Sequence, residues 1–358
     1  MQYITNFIRF LTALIFIFSG FVKMIDPVGT RIKMLEYFGE DVLNLPFLAP
    51  YALEISIFMI LLEFGLGIWL LTGYQLKFTL KALLILILFF LFLTGYSAIF
   101  NKVTDCGCFG DAVKLTPWQT FYKNIILLGF ILFLIWKKEY IKPIFPKKWT
   151  TAIAHSSLLA GLLLMIYTVR HLPLIDFRPY AIGKNIQEEM IIPEGAPHAE
   201  FKDIWYYKVN GQVKEFNNED EPWNIPGAEF VDRKTITLSE GYIPPIHDFS
   251  IENDADGDIT EQILSEPEVI LIISANPYKI SSDAQSMVNN YARDLQKQNK
   301  KVIGMFSVVD DELQQQFAFP LYMTDETTLK TMIRSNPGII VLQKGTVADK
   351  KPWRDLDW

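Results

Sequence analysis

Cysteine is nearly absent from this chain, with two residues among 358. Both belong to one short segment, Asp105–Asp111, which reads Asp-Cys-Gly-Cys-Phe-Gly-Asp and joins two strongly apolar stretches. A protein metal site needs about four ligands, and the four histidines all lie outside this segment, at His155, His171, His198 and His247. We therefore predict no metal site, and any sulfur chemistry is confined to Cys106 and Cys108.

Long apolar runs are absent after Arg170 but frequent before it, although hydrophobic residues make up 50% of the whole chain. A stretch of about 20 apolar residues can cross the ~30 Å hydrocarbon core of a bilayer as a helix. We interpret the first run as a retained anchor because no clean cleavage signal follows it. The sequence thus predicts a membrane α-helical bundle in the lipid bilayer, with spans at about 4–24, 51–71, 78–100, 118–136 and 152–169.

The extramembrane half has no basic patch, and the net charge of -7 excludes nucleic acid as a partner. Lysines cluster instead between the fourth and fifth spans, and such clusters favour the cytoplasmic side. This orientation predicts an inner-membrane protein with a cytoplasmic N-terminus, whereas the cysteine segment and all residues after Arg170 are periplasmic. The predicted divisions are a four-helix bundle at 1–136, a basic loop at 137–151, a fifth span at 152–170, a β-rich connector at 175–241 and a final domain at 242–358.

The spacing of Cys106 and Cys108 makes a disulfide between them a poor stabiliser, because it closes almost no chain. A bridge across one intervening residue departs from ideal disulfide geometry, and such bonds are more readily reduced. Two interpretations stay open for this pair: a redox-active thiol pair, and a permanently oxidised staple of a tight turn.

Glu63 lies deep in the second apolar run, where an ionisable group is a functional-site hypothesis by default. Glu54 lies near the outer end of the same run and is expected to reach the interface. Glu63 is either a structural carboxyl that holds helices together or a proton-handling group for quinone chemistry. Its candidate partners are Arg9, Lys23 and Lys81.

Several of these motifs resemble the DoxX/MauE membrane family, and the cysteine segment resembles its MauE branch. The resemblance covers about 1–136 and implies a four-helix bundle associated with thiol and disulfide redox or with quinone-linked electron transfer. The residues that carry it are Asp105–Asp111, Leu115–Trp118, Arg9, Phe18–Gly20, Lys23, Glu63–Gly67 and Gly73.

The second half is predicted to be α+β. Asn210-Gly211 between two strand-like runs indicates a hairpin with a type I′ turn. Further on, an all-apolar run at Val269–Ile273 predicts a strand buried on both faces, followed by a helix capped near Ser281 and by a strand at Val302–Val308. A short helix near 325–334 precedes the last buried strand.

This order resembles the thioredoxin fold of the TlpA-like branch over about 242–349, and Pro337 matches the position of that family's cis-proline. Where those proteins carry Cys-x-x-Cys, this chain has Ser274–Ser281 without cysteine, so the domain cannot exchange disulfides by itself. The usual final helix of that fold is expected to be reduced to Lys350–Trp358. We expect Tyr278 and Pro337 to flank a partner-binding groove, unless the domain serves only as a scaffold.

Two functions follow from the sequence. The first is a thiol–disulfide or quinone-linked redox partner that acts through Cys106 and Cys108, with Glu63 assisting proton movement and the final domain recruiting a periplasmic thiol or thioredoxin-like client. A relay normally uses two thiol pairs, so the second pair must come from another protein, or a quinone must react directly. The alternative is a non-enzymatic assembly or chaperone-like factor with a static Cys106–Cys108 bridge.

Overall fold

The structure is a computed structural model that describes residues 1–103, 107–198, 200–239, 241–253 and 255–356. Its described residues form a helical N-terminal half and a mixed C-terminal half. The α-helices in chain order are α1 Gln2–Ile25, α2 Pro27–Phe38, α3 Ala52–Thr72, α4 Leu76–Phe100, α5 Pro117–Trp136, α6 Lys147–Arg170, α7 Ile186–Met190, α8 Thr260–Ser265, α9 Ser282–Lys297, α10 Asp311–Gln316 and α11 Glu326–Met332.

Within the described residues, five helices, α1, α3, α4, α5 and α6, are long and apolar enough to cross a membrane, which confirms the predicted spans. Local sequence signals set their ends. Helix α5 begins with a capping box in which Thr116 and Gln119 exchange hydrogen bonds around Pro117. Helix α3 ends at Gly73, whose φ of 81° is left-handed and favours glycine.

Helices α1 and α3 cross closely because glycines remove side chains from the contact. A Cβ on Gly20 would lie 2.7 Å from the Cβ of Phe64, and a Cβ on Gly67 would lie 2.9 Å from the backbone nitrogen of Ile17. Helix α6 packs on this pair through buried apolar side chains, a cluster built from Met24, Ile60 and Met165. The fifth span is therefore joined to the bundle along its length.

Arg9 closes the end of the bundle that lies away from the cysteine segment. Its guanidinium donates to the carbonyls of Leu70 and Leu71 at 2.8 and 2.7 Å, and to the carbonyl of Lys142 at 2.8 Å. The carbonyls of Leu70 and Leu71 lie in the last turn of α3, and that of Lys142 lies in the α5–α6 connection. Arg9 therefore supplies hydrogen bonds to carbonyls that have no partner within the helix at its C-terminus. Its hydrogen bonds go to these carbonyls and not to Glu63.

Helix α2 is among the elements that the sequence reasoning missed. The 25–50 connection contains α2, which begins where the Asp26 side chain accepts a hydrogen bond from the Gly29 backbone at 2.8 Å. Pro27 occupies the first helical position. An N-cap aspartate followed by proline is a recognised helix-start signal, so the sequence did carry the information.

The C-terminal half holds two sheets among its described residues. The strands are β1 Glu200–Val209, β2 Gln212–Asn217, β3 Glu229–Ser239, β4 Glu252–Asn253, β5 Gly257–Asp258, β6 Val269–Ser274, β7 Lys301–Phe306, β8 Leu321–Met323, β9 Gly338–Gln343 and β10 Thr346–Pro352. The first three form an antiparallel sheet in the order β2-β1-β3, and the other seven are ordered β10-β9-β6-β7-β8-β4-β5.

The β1–β2 hairpin confirms the predicted turn, since Asn210 and Gly211 both have positive φ, at 51° and 80°. The larger sheet is mixed: β6 runs parallel to β7 and antiparallel to β9. Alternate residues of β6 enter two separate apolar cores, so this strand is buried on both faces as predicted. Helix α9 begins at the Ser281 cap.

Two further expectations for this domain have definite outcomes. The Asn336–Pro337 peptide bond is cis, as the thioredoxin resemblance predicted. The expected remnant of a final helix at Lys350–Trp358 is wrong for its first residues, because β10 continues to Pro352 and pairs with β9. A short 3₁₀ turn at Trp353–Asp355 follows. The mixed sheet with its surrounding helices is consistent with a thioredoxin-like domain.

Candidate functional site

The cysteine segment packs near the C-terminal end of α1. The Ser19 hydroxyl donates to the carbonyl of Cys108, and the rings of Phe18 and Phe109 lie 5.6 Å apart. On its other side, the Lys123 ammonium of α5 sits 4.6 Å from the centroid of the Phe109 ring. Cys108 is half-buried, whereas the predicted site residue Cys106 lies outside the described residues.

Glu63 pairs with Lys23, one of the three candidate partners. The Lys23 Nζ lies 2.7 Å from a carboxylate oxygen of Glu63, and the two side chains are only 9% and 5% exposed. Glu54, by contrast, is exposed near the start of α3. Taking two charges out of water is costly unless they compensate each other. The carboxylate deep in the second span is therefore one half of a buried ion pair that joins α1 to α3.

A cavity of about 50 Å³ joins this pair to the cysteine segment. Cys108 and Gly107 form part of its wall, and Lys23 and Glu63 form another part. Its volume suits a small number of water molecules, since one needs about 10–15 Å³. The structure thus brings together two of the predicted site residues, Cys108 and Glu63. We call this space the inner cavity.

A larger cavity of about 480 Å³ lies beside the cysteine segment, between the bundle and the C-terminal domain. We call it the outer cavity. Gly107 and Gly110 line its bundle side, and Thr327 and Thr331 from the α11 region line its domain side. Gly107 also lines the inner cavity, together with Thr30 and Lys33. The cysteine segment is therefore part of the partition between the two cavities.

Arg334 holds the C-terminal domain against this partition. Its Nε donates to Asp26 at 2.7 Å and its Nη2 donates to Asp111 at 2.9 Å, while the Arg334 side chain is only 8% exposed. Burial lowers the pKa of Arg334, but the charges of Asp26 and Asp111 outweigh it and raise the pKa above its ordinary value. We call these three residues the Arg334 clamp. Sequence reasoning missed the clamp, although Asp111 closes the cysteine motif.

A second buried network anchors the chain where it leaves α6. Asp176 accepts hydrogen bonds from Arg178 at 2.7 Å and from Lys350 at 2.7 Å. Burial raises the pKa of Asp176, but the charges of Arg178 and Lys350 outweigh burial and hold it below its ordinary value. Burial, followed by the charge of Arg178, lowers the pKa of Lys350 to about 8. This network ties β10 to the segment that follows the fifth span.

The predicted partner-binding residues take different positions. Tyr278 is 67% exposed and its hydroxyl donates to Asp310 at 2.6 Å, a hydrogen bond that is the main cause of the raised pKa of Tyr278. Pro337 is buried. The preceding Asn336 joins the loop that contains Pro337 to the loop that follows β6. Its side chain accepts a hydrogen bond from the Ser274 hydroxyl and donates one to the backbone carbonyl of Asn276. The groove itself stays a prediction.

No group of three or more His, Cys, Asp or Glu side chains is arranged to hold a metal ion within the part of the chain that the structure describes. The acidic turn near Asp256 serves the fold, because this carboxylate accepts hydrogen bonds from Asn253 and Tyr322 at 3.0 Å each. Helix α8 follows it at Thr260.

Comparison with known proteins supports both parts of this architecture. Residues 1–137 match the family model of methylamine utilisation protein MauE. Protein TlpB of Flavobacterium psychrophilum is 31% identical over 147 residues, which span 38% of this chain and 38% of that protein. The chain thus aligns with little more than a third of the length of this curated relative, and no solved structure matches it. The first 137 residues are similar to MauE, and a thioredoxin-like domain without cysteine follows them on the same chain.

Proposed function

We propose that this protein is a membrane thiol–disulfide redox protein of the bacterial inner membrane, and that Cys106 and Cys108 are its reacting pair. The observation that carries the proposal is the inner cavity, which Cys108 and the buried Lys23–Glu63 pair both line. A thiol pair that serves only as a staple needs no ionisable groups beside it. The MauE match over the same residues supports the proposal.

The reaction follows ordinary thiol–disulfide exchange. A client thiolate attacks the Cys106–Cys108 disulfide, forms a mixed disulfide with one sulfur and releases the other as a thiolate. The second client thiolate then attacks the mixed disulfide, so the client leaves oxidised and the loop is left as a dithiol. Two electrons have passed from client to loop. A quinone returns the loop to its disulfide by taking two electrons and two protons, or a thiol protein with its own disulfide takes the electrons.

Glu63 and Lys23 suit the proton side of this reaction. Reoxidation of a dithiol releases two protons, and the inner cavity offers a carboxylate that can accept a proton, beside an ammonium that can donate one. The cysteine-free C-terminal domain recruits the client, with Tyr278 and Pro337 as the predicted contact region.

Thiol trapping of the purified protein across glutathione potentials tests the function. We expect a reversible transition between disulfide and dithiol within the range of glutathione buffers, and loss of function in cells for the Cys106→Ser, Cys108→Ser variant. A pair that stays oxidised at the most reducing potential, together with a functional double variant, contradicts the proposal and favours the static bridge of an assembly factor.

The role of Glu63 is tested by the rate at which the reduced loop is reoxidised. Glu63→Gln removes the titrating group but keeps the shape, so we expect reoxidation to slow by about 10²-fold or more, the range of general acid–base catalysis. The matched control is Glu54→Gln, which changes an exposed carboxyl on the same helix. Equal rates for the two variants would assign Glu63 a structural role only.

A further inference from the structure

A further cavity lies at the end of the bundle away from the cysteine segment, and Arg9 forms part of its wall. We call it the Arg9 cavity. Its volume of about 340 Å³ lies within the ~300–1,000 Å³ range of ligand pockets. Phe10 and Ile144 in its wall are 53% and 57% exposed, whereas Arg9 is only 5% exposed. The cavity is therefore open on one side and ends on a buried arginine.

The guanidinium of Arg9 is the part of the side chain that reaches this cavity. It donates to the carbonyls of Leu71 and Lys142, and both of these residues also line the cavity. Arginine has five N–H donors, and the three hydrogen bonds of Arg9 use one donor on each nitrogen. One N–H on each terminal nitrogen is thus left for a ligand.

The lining of the Arg9 cavity is positively charged and holds no counter-charge among the described residues. Arg9 and Lys142 are its charged members, and Glu139 of the same α5–α6 connection does not line it. The carbonyl end of α3 carries the equivalent of about half a negative charge, which is less than the two positive charges of the site. Since a buried charge is costly without compensation, the site favours an anion.

The surroundings of the cavity indicate that this anion belongs to a lipid. Arginine pairs strongly with phosphate oxygens, and the Asn6 amide adds a neutral donor to the lining. From the cavity, exposed apolar side chains continue along α1 at a spacing of four residues, at Phe10, Leu14 and Phe18. We call these three residues the α1 stripe. An acyl chain can lie along the α1 stripe while its phosphate reaches Arg9, whereas a soluble phosphate makes no use of it.

We propose that the Arg9 cavity binds the phosphodiester head group of an anionic phospholipid, with one acyl chain of that lipid along the α1 stripe. A zwitterionic phosphatidylethanolamine fits less well, because its ammonium group is repelled by Arg9 and Lys142. The sequence predicts that this end of the bundle faces the cytoplasm, so the lipid belongs to the cytoplasmic leaflet. The site is independent of the proposed redox function, since it lies at the other end of the bundle.

Native mass spectrometry of the full-length protein in detergent tests the head-group preference. The two probes have identical chains: dioleoyl phosphatidylglycerol and dioleoyl phosphatidylethanolamine. We expect the first phosphatidylglycerol to bind about ten-fold more tightly than phosphatidylethanolamine, because two basic side chains near the bilayer surface each favour an anionic lipid. Equal binding of the two lipids by the parent protein would overturn the proposal.

Two variants locate the site without removing Arg9 from its helix-end contacts. Lys142→Glu reverses a charge of the lining, while the backbone carbonyl at this position still accepts from Arg9. Asn6→Asp places a carboxylate in the lining without a change in side-chain size. Each should reduce the preference to about two-fold or less. The matched control is Lys147→Glu, an exposed lysine at the start of α6 that does not line the cavity. A preference that survives in both cavity variants, or that the control loses equally, contradicts this location.

Competition separates a lipid from a soluble phosphate. Millimolar inorganic phosphate should not displace a fluorescent phosphatidylglycerol, since it gains no contact with the α1 stripe. Displacement by phosphate, but not by chloride at equal ionic strength, would overturn the assignment to a lipid.

The acyl chain contact has its own test. Leu14→Asn in the α1 stripe should weaken both dioleoyl lipids about five-fold through lost apolar contact. Leu88→Asn on α4 changes a leucine of equal exposure, 49% in each case, and should leave their binding nearly unchanged. Equal effects of the two substitutions would rule out the α1 stripe as the chain site.

Discussion

At the scale of single residues, the buried Lys23–Glu63 pair is the feature whose charges most need compensation. Each side chain is less than a tenth exposed, and both lie on membrane-spanning helices. Charged groups within a bilayer are rare and generally paired, and they mark functional pathways. The contact between Lys23 and Glu63 therefore has two effects. It compensates the two buried charges, and it places both groups beside Cys108.

Removing one member of this pair should destabilise the bundle. In Glu63→Ala the Lys23 ammonium remains buried without its carboxylate, and we expect a loss of about 3–5 kcal/mol in the free energy of unfolding. The double variant Lys23→Met, Glu63→Leu should recover most of that loss, because apolar side chains of similar volume need no compensation. Thermal unfolding in detergent measures both. A single variant as stable as the parent would argue against a buried, charged pair.

Lys350 predicts a pH dependence. Its folded pKa is lowered by burial to about 8, whereas the unfolded chain retains a pKa of about 10.4. Between these values the unfolded state binds more protons, so the free energy of unfolding should rise as the pH increases from 8 toward 10.5. Below pH 8 the lysine is charged in both states and this contribution is absent.

The comparison that isolates this effect uses Lys350→Met. The melting temperature of the parent, relative to that of Lys350→Met, should increase between pH 8 and pH 10. Parallel pH profiles for the two proteins would show that the Lys350 pKa is not lowered by the fold. Since Asp176 also loses a partner in the variant, only the slope, and not the absolute stability, decides the question.

At the scale of elements, the glycines of the α1–α3 crossing set the distance between these helices. Gly20→Ala would place a Cβ 2.7–2.9 Å from the Cβ and backbone atoms of Phe64, and backbone cannot move aside as a side chain end does. We expect a loss of about 1–3 kcal/mol from overpacking, together with displacement of the neighbouring Ser19 and Lys23. Thermal unfolding and the thiol alkylation rate report the two effects.

Gly129→Ala is the matched control for that substitution. Gly129 lies in α5, and a Cβ added to it would have no atom within 4 Å. Alanine should therefore be tolerated there and should even favour the helix slightly. If both alanine variants were equally stable, the close crossing of α1 and α3 would not contribute to stability.

Elements whose signal is local could be predicted from the sequence. The five spans follow from uninterrupted apolar runs, the β1–β2 turn follows from Asn210-Gly211, and β6 follows from five consecutive apolar residues. Helix α2 was missed because its apolar pattern is weak, although Asp26-Pro27 announced its start. The end of the chain was misjudged because pairing with β9 keeps 350–352 extended, which is a tertiary effect.

Contacts between distant segments could not be predicted in the same way. Glu63 had three basic candidates, and its depth in the packed bundle selects Lys23, because Arg9 lies fourteen residues earlier on α1 and Lys81 lies on α4. Arg334 has no distinguishing sequence context, and its partners belong to a helix cap and to the cysteine motif. The cysteine pair and Glu63 could thus be singled out as candidates from the sequence, whereas the arrangement of Cys108 and Glu63 around one cavity depends on the packing of the whole chain.

For the whole molecule, the orientation in the membrane can be tested directly. The basic connection that includes Lys142 lies at the Arg9 end of the bundle, and the cysteine segment and the Arg334 clamp lie at the other end. In a Cys106→Ser, Cys108→Ser background, Lys214→Cys should react with a membrane-impermeant maleimide in cells with a permeabilised outer membrane. Lys138→Cys should react only after the inner membrane is opened. The reverse pattern would contradict a cytoplasmic N-terminus.

The domain that the Arg334 clamp holds over the cysteine loop contains no cysteine. A thiol-bearing cover at this distance would compete with every incoming substrate and would form internal cross-links with the loop. The C-terminal domain has no thiol, so it can stay in place through the whole redox cycle without forming a disulfide with the loop. For the same reason, any covalent adduct trapped on a single-cysteine variant under oxidising conditions must join the protein to a different molecule. Its mass then reports the identity of that molecule without ambiguity.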